Sequence, residues 1–248
     1  MHTVVPQERN GPSAGCECCR EPDQATPISP VSRRNLLWTG IAATTALGLG
    51  FPKRAAAQST LSPAAALQTL LDGNKRYVAQ RLTSFDEDLS ILRQKTVEKQ
   101  QPFAAVLSCA DSRVPVEIAF DQTIGHVFVN RVAGNLATSE IIASLEYGAA
   151  VLGTRAILVL GHGSCGAVKA AIDAKAVPGQ ISQLYAPLRP AVDAAGGVLD
   201  AAIRENARIQ AHLLTTASPL LAGLIHEGKL KIAAGYYDLA SGAVSLLS

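Results

Sequence analysis

Two short segments carry most of the side chains in this chain that could do chemistry. Cys109, Asp111 and Arg113 lie in the first segment, and His162 and Cys165 lie in the second. Two thiols and one imidazole can hold a catalytic zinc, because three protein ligands leave a fourth tetrahedral position open for water. A purely structural zinc has no use for a carboxylate and a guanidinium beside one ligand. The sequence therefore predicts a zinc hydrolase or lyase with one Zn²⁺ per chain.

The two cysteines also have a simpler interpretation. A buried cysteine often behaves as a small hydrophobic residue, so Cys109 and Cys165 could be core thiols or could form a disulfide. Each motif taken alone would be weak. The joint pattern, C-x-D-x-R followed by H-x-x-C, favours the metal site over this alternative.

The joint pattern resembles the β-class carbonic anhydrases. In this chain each motif follows an apolar run, and the similarity extends over about residues 61–248, including the segments 131–135 (RVAGN) and 144–147 (SLEY). The resemblance implies reversible hydration of carbon dioxide to bicarbonate and a proton. It also implies that the protein is a homodimer or a higher homo-oligomer, with the substrate pocket at the subunit interface.

A mechanism follows from these ligands. Zn²⁺ lowers the pKa of a bound water from about 15.7 to about 7, so hydroxide is available at neutral pH. Asp111 is expected to accept a hydrogen bond from this nucleophile and to orient it. Arg113 is expected to hold Asp111 ionised and in place. Both residues are therefore predicted to be catalytic.

Three further site residues come from the resemblance alone. In the subclass of the family that keeps an open, water-bearing zinc, a glutamine, a phenylalanine and a tyrosine help to form the substrate pocket. These correspond to Gln100, Phe128 and Tyr147. The other subclass has a tryptophan three residues before the first ligand, where this chain has Val106. The resemblance therefore implies the open-site subclass.

Two other functions fit the same residues. The same zinc ligands and fold could hydrolyse carbonyl sulfide or carbon disulfide, with the access path selecting the substrate. The domain could also be a non-catalytic, zinc-stabilised module that binds bicarbonate. The presence of both Asp111 and Arg113 argues against a binding module, because such a module gains little from orienting a hydroxide.

Composition limits the number of domains and the class of partner. The chain has 248 residues, of which 48% are apolar, and this is enough for one good hydrophobic core. Residues 58–248 carry sixteen Lys or Arg and sixteen Asp or Glu, so the predicted catalytic domain is neutral. A basic surface for nucleic acid is therefore not expected.

Residues 1–57 are predicted to be an export leader. Arg33 and Arg34 directly precede an uncharged stretch, residues 36–51, and residues 55–57 are three alanines that suit a cleavage site. This pattern is typical of a twin-arginine signal and predicts export to a periplasm or lumen through the twin-arginine translocase. The apolar stretch is shorter than the roughly 20 residues that span a bilayer. A permanent membrane anchor through residues 36–51 is therefore the less favoured alternative.

The alternation of strand and helix patterns predicts an α/β fold with a mostly parallel central sheet flanked by helices, like that of the β-class carbonic anhydrases. Strands are predicted at 103–108, 126–132 and 155–160, and an antiparallel pair at 231–237 and 243–247. Helices are predicted from 63 to about 80, at 139–152, directly after Cys165, at 198–215 and at 219–226, with a loop and a short helix within 81–101. Both motifs then follow the carboxyl ends of strands, where open α/β sheets place their sites.

Three local expectations accompany this fold. Gly161 and Gly163 are expected to let the chain turn tightly after Leu160. The N-terminus of the helix after Cys165 is expected to favour its thiolate. Leu67 and the pair Leu70 and Leu71 on the first helix need cover, which the chain's own core or a partner subunit could provide.

The export hypothesis makes a spectroscopic prediction, because Trp38 is the only tryptophan of the chain. If the leader is cleaved after Ala57, the exported protein begins at Gln58 and its emission comes from tyrosine alone, whereas the precursor shows indole emission. Changing Arg33 and Arg34 together to lysine should leave a folded precursor in the cytoplasm. Indole emission from exported protein would instead indicate a retained anchor, and unchanged export of the double-lysine variant would indicate another route.

Overall fold

The computed structural model of this protein describes residues 59–84 and 89–248. The predicted leader, with its apolar stretch 36–51 and the cysteines at 16, 18 and 19, lies outside the described residues. Within the described ranges, no helix is both long enough and apolar enough to cross a membrane.

One five-stranded sheet organises the described part of the chain. Across the sheet the strands are ordered β2 (Val127–Arg131), β1 (Ala104–Ser108), β3 (Ala156–His162), β4 (Lys231–Tyr237) and β5 (Val244–Leu247). The first four strands in this order are mutually parallel, and β5 is antiparallel to β4. The predicted parallel sheet with a C-terminal antiparallel pair is therefore confirmed. β4 joins the parallel strands to β5, because it pairs with β3 on one side and with β5 on the other.

Helices flank the sheet on both faces. In the described ranges they are α1 (Pro63–Val78), α2 (Leu89–Thr96), α3 (Val116–Ala119), α4 (Ser139–Ala150), α5 (Gly166–Asp173), α6 (Tyr185–Ala194), α7 (Leu199–Ala217) and α8 (Pro219–His226), with a 3-10 turn at Ile181–Leu184 before α6. The predicted helices all form, with ends that differ by a few residues.

Local sequence explains where two of these helices begin. The Ser62 hydroxyl accepts a hydrogen bond from Ala65 N at 3.2 Å, and Pro63 occupies the first position of α1. α8 begins in the same way, since the Ser218 hydroxyl accepts from Leu221 N at 3.1 Å and a proline follows. A serine followed by a proline thus marks a helix start twice within the described ranges.

Two helices are present that the sequence does not predict. α3 is a single turn, which is too short to show a periodic pattern. α6 has Pro187 in its first turn and Pro190 in its interior, and proline disfavours a helix interior because it has no N–H. Burial of Leu188, Ala191 and Val192 nevertheless stabilises α6. Tertiary packing therefore outweighs local preference in this helix.

The hydrophobic core lies on both faces of the sheet. Val106 and Leu158 pack on one face with Leu67 and Leu70 of α1, and the alternate residues of β1 and β3 pack on the other face against α4, α7 and α8. The chain's own core therefore covers Leu67 and Leu70, while Leu71 is partly buried. Burial on both faces explains why these strands read as continuous apolar runs.

α1 approaches the end of α3 very closely at Gly73. A Cβ atom added to Gly73 would lie 1.8 Å from the carbonyl oxygen of Phe120. The neighbouring Asn74 donates to the carbonyls of Ala119 at 2.9 Å and Gly242 at 2.8 Å, so it ties α1 to the end of α3 and to the loop before β5. α1 therefore has little freedom to move away from Phe120.

We expect Gly73→Ala to lower the free energy of unfolding by about 1–2 kcal/mol. Overpacking costs about 1–3 kcal/mol, and a clash with a backbone oxygen belongs at the upper end of that range. Replacing a helical glycine by alanine returns about 1 kcal/mol. Gly223→Ala in α8 is the matched control, because its Cβ would meet no heavy atom within 4 Å. The control should be stabilised by about 0.5–1 kcal/mol. Urea unfolding measures both, and equal stability of Gly73→Ala and the parent would contradict the close approach.

Candidate metal centre

Three residues that can bind a metal come together at the carboxyl ends of two neighbouring parallel strands. Cys109 directly follows β1, and His162 is the last residue of β3. Cys165 is the N-cap residue of α5. One ligand atom from each residue lies within 4.8 Å of the other two, and all three residues are buried. A single cation could bridge atoms at these separations.

The imidazole of His162 has one nitrogen bonded and one without a partner. Nδ1 lies 2.9 Å from the carbonyl oxygen of Gly163. Because a carbonyl can only accept, Nδ1 carries the proton and Nε2 keeps its lone pair. Nε2 is buried and has no hydrogen-bond partner, which is costly unless another group takes that lone pair. One imidazole nitrogen and two cysteine sulfurs are a donor set that fits Zn²⁺.

The two thiols influence each other's protonation. A hydrogen bond from Cys165 lowers the pKa of Cys109 to about 4. The same pairing, followed by burial, raises the pKa of Cys165. The amides of Val168 and Ala167 at the start of α5 lower the pKa of Cys165, as the sequence predicts, but Cys109 outweighs them. A cation that binds both sulfurs must therefore displace the proton that Cys165 retains.

The chain does not turn directly after Leu160 as expected, because β3 continues to His162. The left-handed residue of the turn that follows is Ser164, with a φ of 54°, rather than either of the two glycines. Gly161 lies within β3, where a Cβ would be 3.1 Å from Cγ2 of Ile203 in α7, and a Cβ on Gly163 would be 3.0 Å from the hydroxyl of Tyr236. The two glycines are needed for close packing around the ligand loop.

Asp111 forms a bidentate ion pair with Arg113 beside the ligands. Arg113 Nε donates to Oδ1 at 2.9 Å and Nη2 donates to Oδ2 at 2.8 Å, while the backbone N of Arg113 donates to Oδ1 at 3.0 Å. These bonds hold the pKa of Asp111 well below its usual range. Oδ2 lies 3.9 Å from Nε2 of His162, so the carboxylate faces the ligand group. Arg113 Nη2 also donates to the carbonyl of Ser164 at 3.3 Å and joins the two ligand loops.

Arg131 holds the Cys109 loop from the neighbouring strand, a contact that sequence reasoning missed. Its Nε donates to the carbonyl of Cys109 at 3.0 Å, and its Nη2 donates to the carbonyl of Asp111 at 2.6 Å. Arg131 reaches them because it stands opposite Ser108, the residue before Cys109. The register of β2 against β1 determines this contact, and the local sequence around Arg131 carries no sign of it.

Three predicted pocket residues do not lie with the ligands of the same chain. Phe128 stands opposite Ala105, four residues before Cys109, which is about 13 Å along the strand at about 3.3 Å per residue. Tyr147 is 49% exposed, and its ring centroid lies 6.3 Å from that of Phe128. Gln100 is exposed and precedes the amino end of β1. One chain by itself therefore does not bring these three residues to the ligand group.

The chain is similar to known proteins over most of its length. A family model described as "Carbonic anhydrase" matches residues 104–244. The carbonic anhydrase of Mycolicibacterium smegmatis is 35% identical over 195 residues, which cover 75% of this chain and 94% of that protein. Carbonic anhydrase 2 of Mycobacterium tuberculosis is 44% identical over 113 residues, 46% of this chain and 54% of that protein. The structure of the Coccomyxa β-carbonic anhydrase in complex with acetazolamide aligns with a TM-score of 0.58 and 27% identity, covering 73% of this chain and 86% of that one.

We expect the purified protein to bind about one zinc per chain at these three ligands. Cys165→Ser and His162→Ala should each lose most of it. His226→Ala is the matched histidine control and should keep its zinc, because His226 ends α8 and is not one of the three grouped residues. Metal analysis after dialysis measures the content. Full zinc in a Cys109→Ala, Cys165→Ala double variant would exclude this site.

Proposed function

This chain belongs to the β-class of the carbonic anhydrase family, and from that premise we propose that it hydrates carbon dioxide at a zinc held by Cys109, His162 and Cys165. The observation that carries the proposal is the buried Nε2 of His162, which has no hydrogen-bond partner and belongs to the ligand group. When bound, Zn²⁺ supplies a water of lowered pKa and therefore a nucleophile at neutral pH.

Asp111 orients the attacking water in this proposal. Its Oδ1 already accepts two hydrogen bonds from Arg113, whereas Oδ2 accepts one and faces the ligand group. An ionised carboxylate can only accept, so a hydrogen bond to Oδ2 turns the remaining lone pairs of the nucleophile away from Asp111 and towards the substrate carbon. Arg113 keeps Asp111 ionised, so the acceptor persists throughout the neutral pH range.

We assign the site to the open, water-bearing subclass. A carboxylate that ligated the metal itself would have to leave Arg113, and the bidentate pair with three hydrogen bonds opposes this move. Val106, at the position of the tryptophan in the other subclass, is fully buried in the core under α1. Both observations support a fourth metal position that stays open to water.

The substrate pocket is proposed to form between subunits of a homodimer or a higher homo-oligomer. Gln100, Phe128 and Tyr147 are the pocket residues, each contributed to the ligand group of a neighbouring subunit. Their separation from the ligands of their own chain supports this arrangement. β2, which carries Phe128, is an edge strand of the sheet and is therefore available to a second subunit.

The protein is proposed to reach a periplasm or lumen through the twin-arginine translocase, with residues 1–57 as the leader. After cleavage the chain would keep two cysteines, Cys109 and Cys165. In an oxidising compartment two neighbouring thiols can form a disulfide. Export in the folded state, with the metal already bound, would protect both sulfurs as ligands.

Metal binding and catalysis should separate in variants of the ion pair. Asp111→Asn and Arg113→Ala should keep zinc but lower the rate of CO₂ hydration by about 10²-fold or more, as when a positioned catalytic group is removed. Asp193→Asn is the matched control, since Asp193 pairs with Arg189 on the surface of α6 at 3.7 Å. It should hydrate CO₂ at the parent's rate in a stopped-flow assay. Parental turnover by Asp111→Asn would refute the orienting role.

The substrate is tested on the same zinc-loaded protein with three candidates. We expect CO₂ hydration to be the main activity, with carbonyl sulfide and carbon disulfide turned over slowly or not at all. Rapid hydrolysis of either sulfur compound with little CO₂ hydration would identify a hydrolase. Bicarbonate binding without turnover of any of the three would identify a binding module.

A further inference from the structure

The sulfur of Cys109 accepts a backbone hydrogen bond from a loop that carries no metal ligand. Gly134 N lies 3.4 Å from Cys109 Sγ. Gly134 has a φ of 78°, and the next residue, Asn135, has a φ of 45°. Left-handed conformations are uncommon in residues other than glycine, and two in succession persist only where surrounding contacts hold them. The contacts that hold this loop therefore also hold a hydrogen-bond donor against a ligand.

Two buried amide side chains of α7 provide these contacts. Asn206 Nδ2 donates to the carbonyl of Gly134 at 2.8 Å. Gln210 Nε2 donates to Asn206 Oδ1 at 3.1 Å, and Gln210 Oε1 accepts from the backbone N of Ala137 at 2.9 Å. Asn206 is 0% exposed and Gln210 is 2% exposed. The chain of hydrogen bonds thus begins and ends on the loop that follows β2.

The backbone groups of Ala137 and Gly134, at the two ends of this series of hydrogen bonds, fix the direction in which its donors point. The N–H of Ala137 can only donate, so Gln210 turns its oxygen to Ala137 and its nitrogen to Asn206. Asn206 then turns its oxygen to Gln210 and its nitrogen to Gly134, whose carbonyl can only accept. Both ends require the same orientation of both amides. A buried network with one consistent arrangement is rigid.

We propose that Asn206 is a positioning residue for the metal centre. By holding the carbonyl of Gly134, it keeps the N–H of the same residue directed at Cys109 Sγ. A hydrogen bond to a ligand sulfur reduces its electron donation and fixes the direction in which it faces the metal. The inference rests on the proposed metal centre and adds to it a side chain of α7 that contacts neither the metal nor the substrate.

The test is ¹H–¹¹³Cd correlation NMR on the full chain loaded with ¹¹³Cd in place of zinc. Scalar coupling passes through an N–H to sulfur bond, so cadmium should correlate with the Gly134 amide proton as well as with the Cβ protons of Cys109 and Cys165. Asn206→Leu should lose the Gly134 correlation and keep the two cysteine correlations. Its zinc affinity, from competition with a chelator, should fall by about 10-fold or more, as for other groups that support ligands.

Asn74→Leu is the matched control. Asn74 is also a buried asparagine that donates to two backbone carbonyls, those of Ala119 and Gly242, but it bonds no part of the ligand loops. Asn74→Leu should lower the melting temperature, as Asn206→Leu does, and should keep both the Gly134 correlation and the parent's zinc affinity. A merely structural role of Asn206 would give the same result for the two variants.

Each remaining outcome has a distinct meaning. If Asn206→Leu does not fold, Asn206→Ala replaces it, because alanine removes the same donor without adding apolar volume. Cysteine correlations without a Gly134 correlation in the parent, or a Gly134 correlation that persists in the Asn206 variant, would overturn the positioning role and leave the metal centre standing. Absence of both cysteine correlations in the parent would overturn the metal centre itself.

Discussion

The parallel pairing of β1 with β3 sets both the packing of the core and the positions of two metal ligands. Ser108 lies opposite Leu160, so Cys109 and His162 emerge at the same edge of the sheet. Every residue of both strands is buried, and a shift of register by one residue would turn each apolar side chain to the opposite face. The register that buries the core therefore also sets the ligand positions, and the stability of the core and the geometry of the site have one origin.

Around the ligands, polar groups are held by partners that allow few alternatives. The carbonyl of Gly163 selects the tautomer of His162. Arg131 binds the carbonyls of Cys109 and Asp111 and so holds the Cys109 loop. Arg113 uses its guanidinium on Asp111 and on the carbonyl of Ser164. Groups that are fixed before the reaction need no reorganisation during it, which is how an enzyme site stabilises developing charge.

The sequence predicts most of the fold, because the central strands are apolar on both faces and Ser62 with Pro63 marks a helix start. It predicts the ligand group because the residue types and their spacing suit zinc. It does not predict α6, where packing outweighs two prolines, or the contacts of Arg131, which depend on strand register. The role that the sequence predicts for Gly161 and Gly163 is wrong for the same reason. The residues that pack against them, in α7 and at Tyr236, are distant in sequence. Three features rest on tertiary contacts in this way.

Zinc K-edge X-ray absorption would identify the atoms that bind the metal. The sample is the zinc-loaded chain with the three cysteines of the proposed leader, at 16, 18 and 19, replaced by serine, so that Cys109 and Cys165 are the remaining thiols. If Cys109, His162 and Cys165 bind the zinc, the spectrum will show two sulfur atoms at about 2.3 Å and nitrogen or oxygen neighbours at about 2.0–2.2 Å, one of them an imidazole. A spectrum that fits with oxygen and nitrogen neighbours and no sulfur would contradict this assignment.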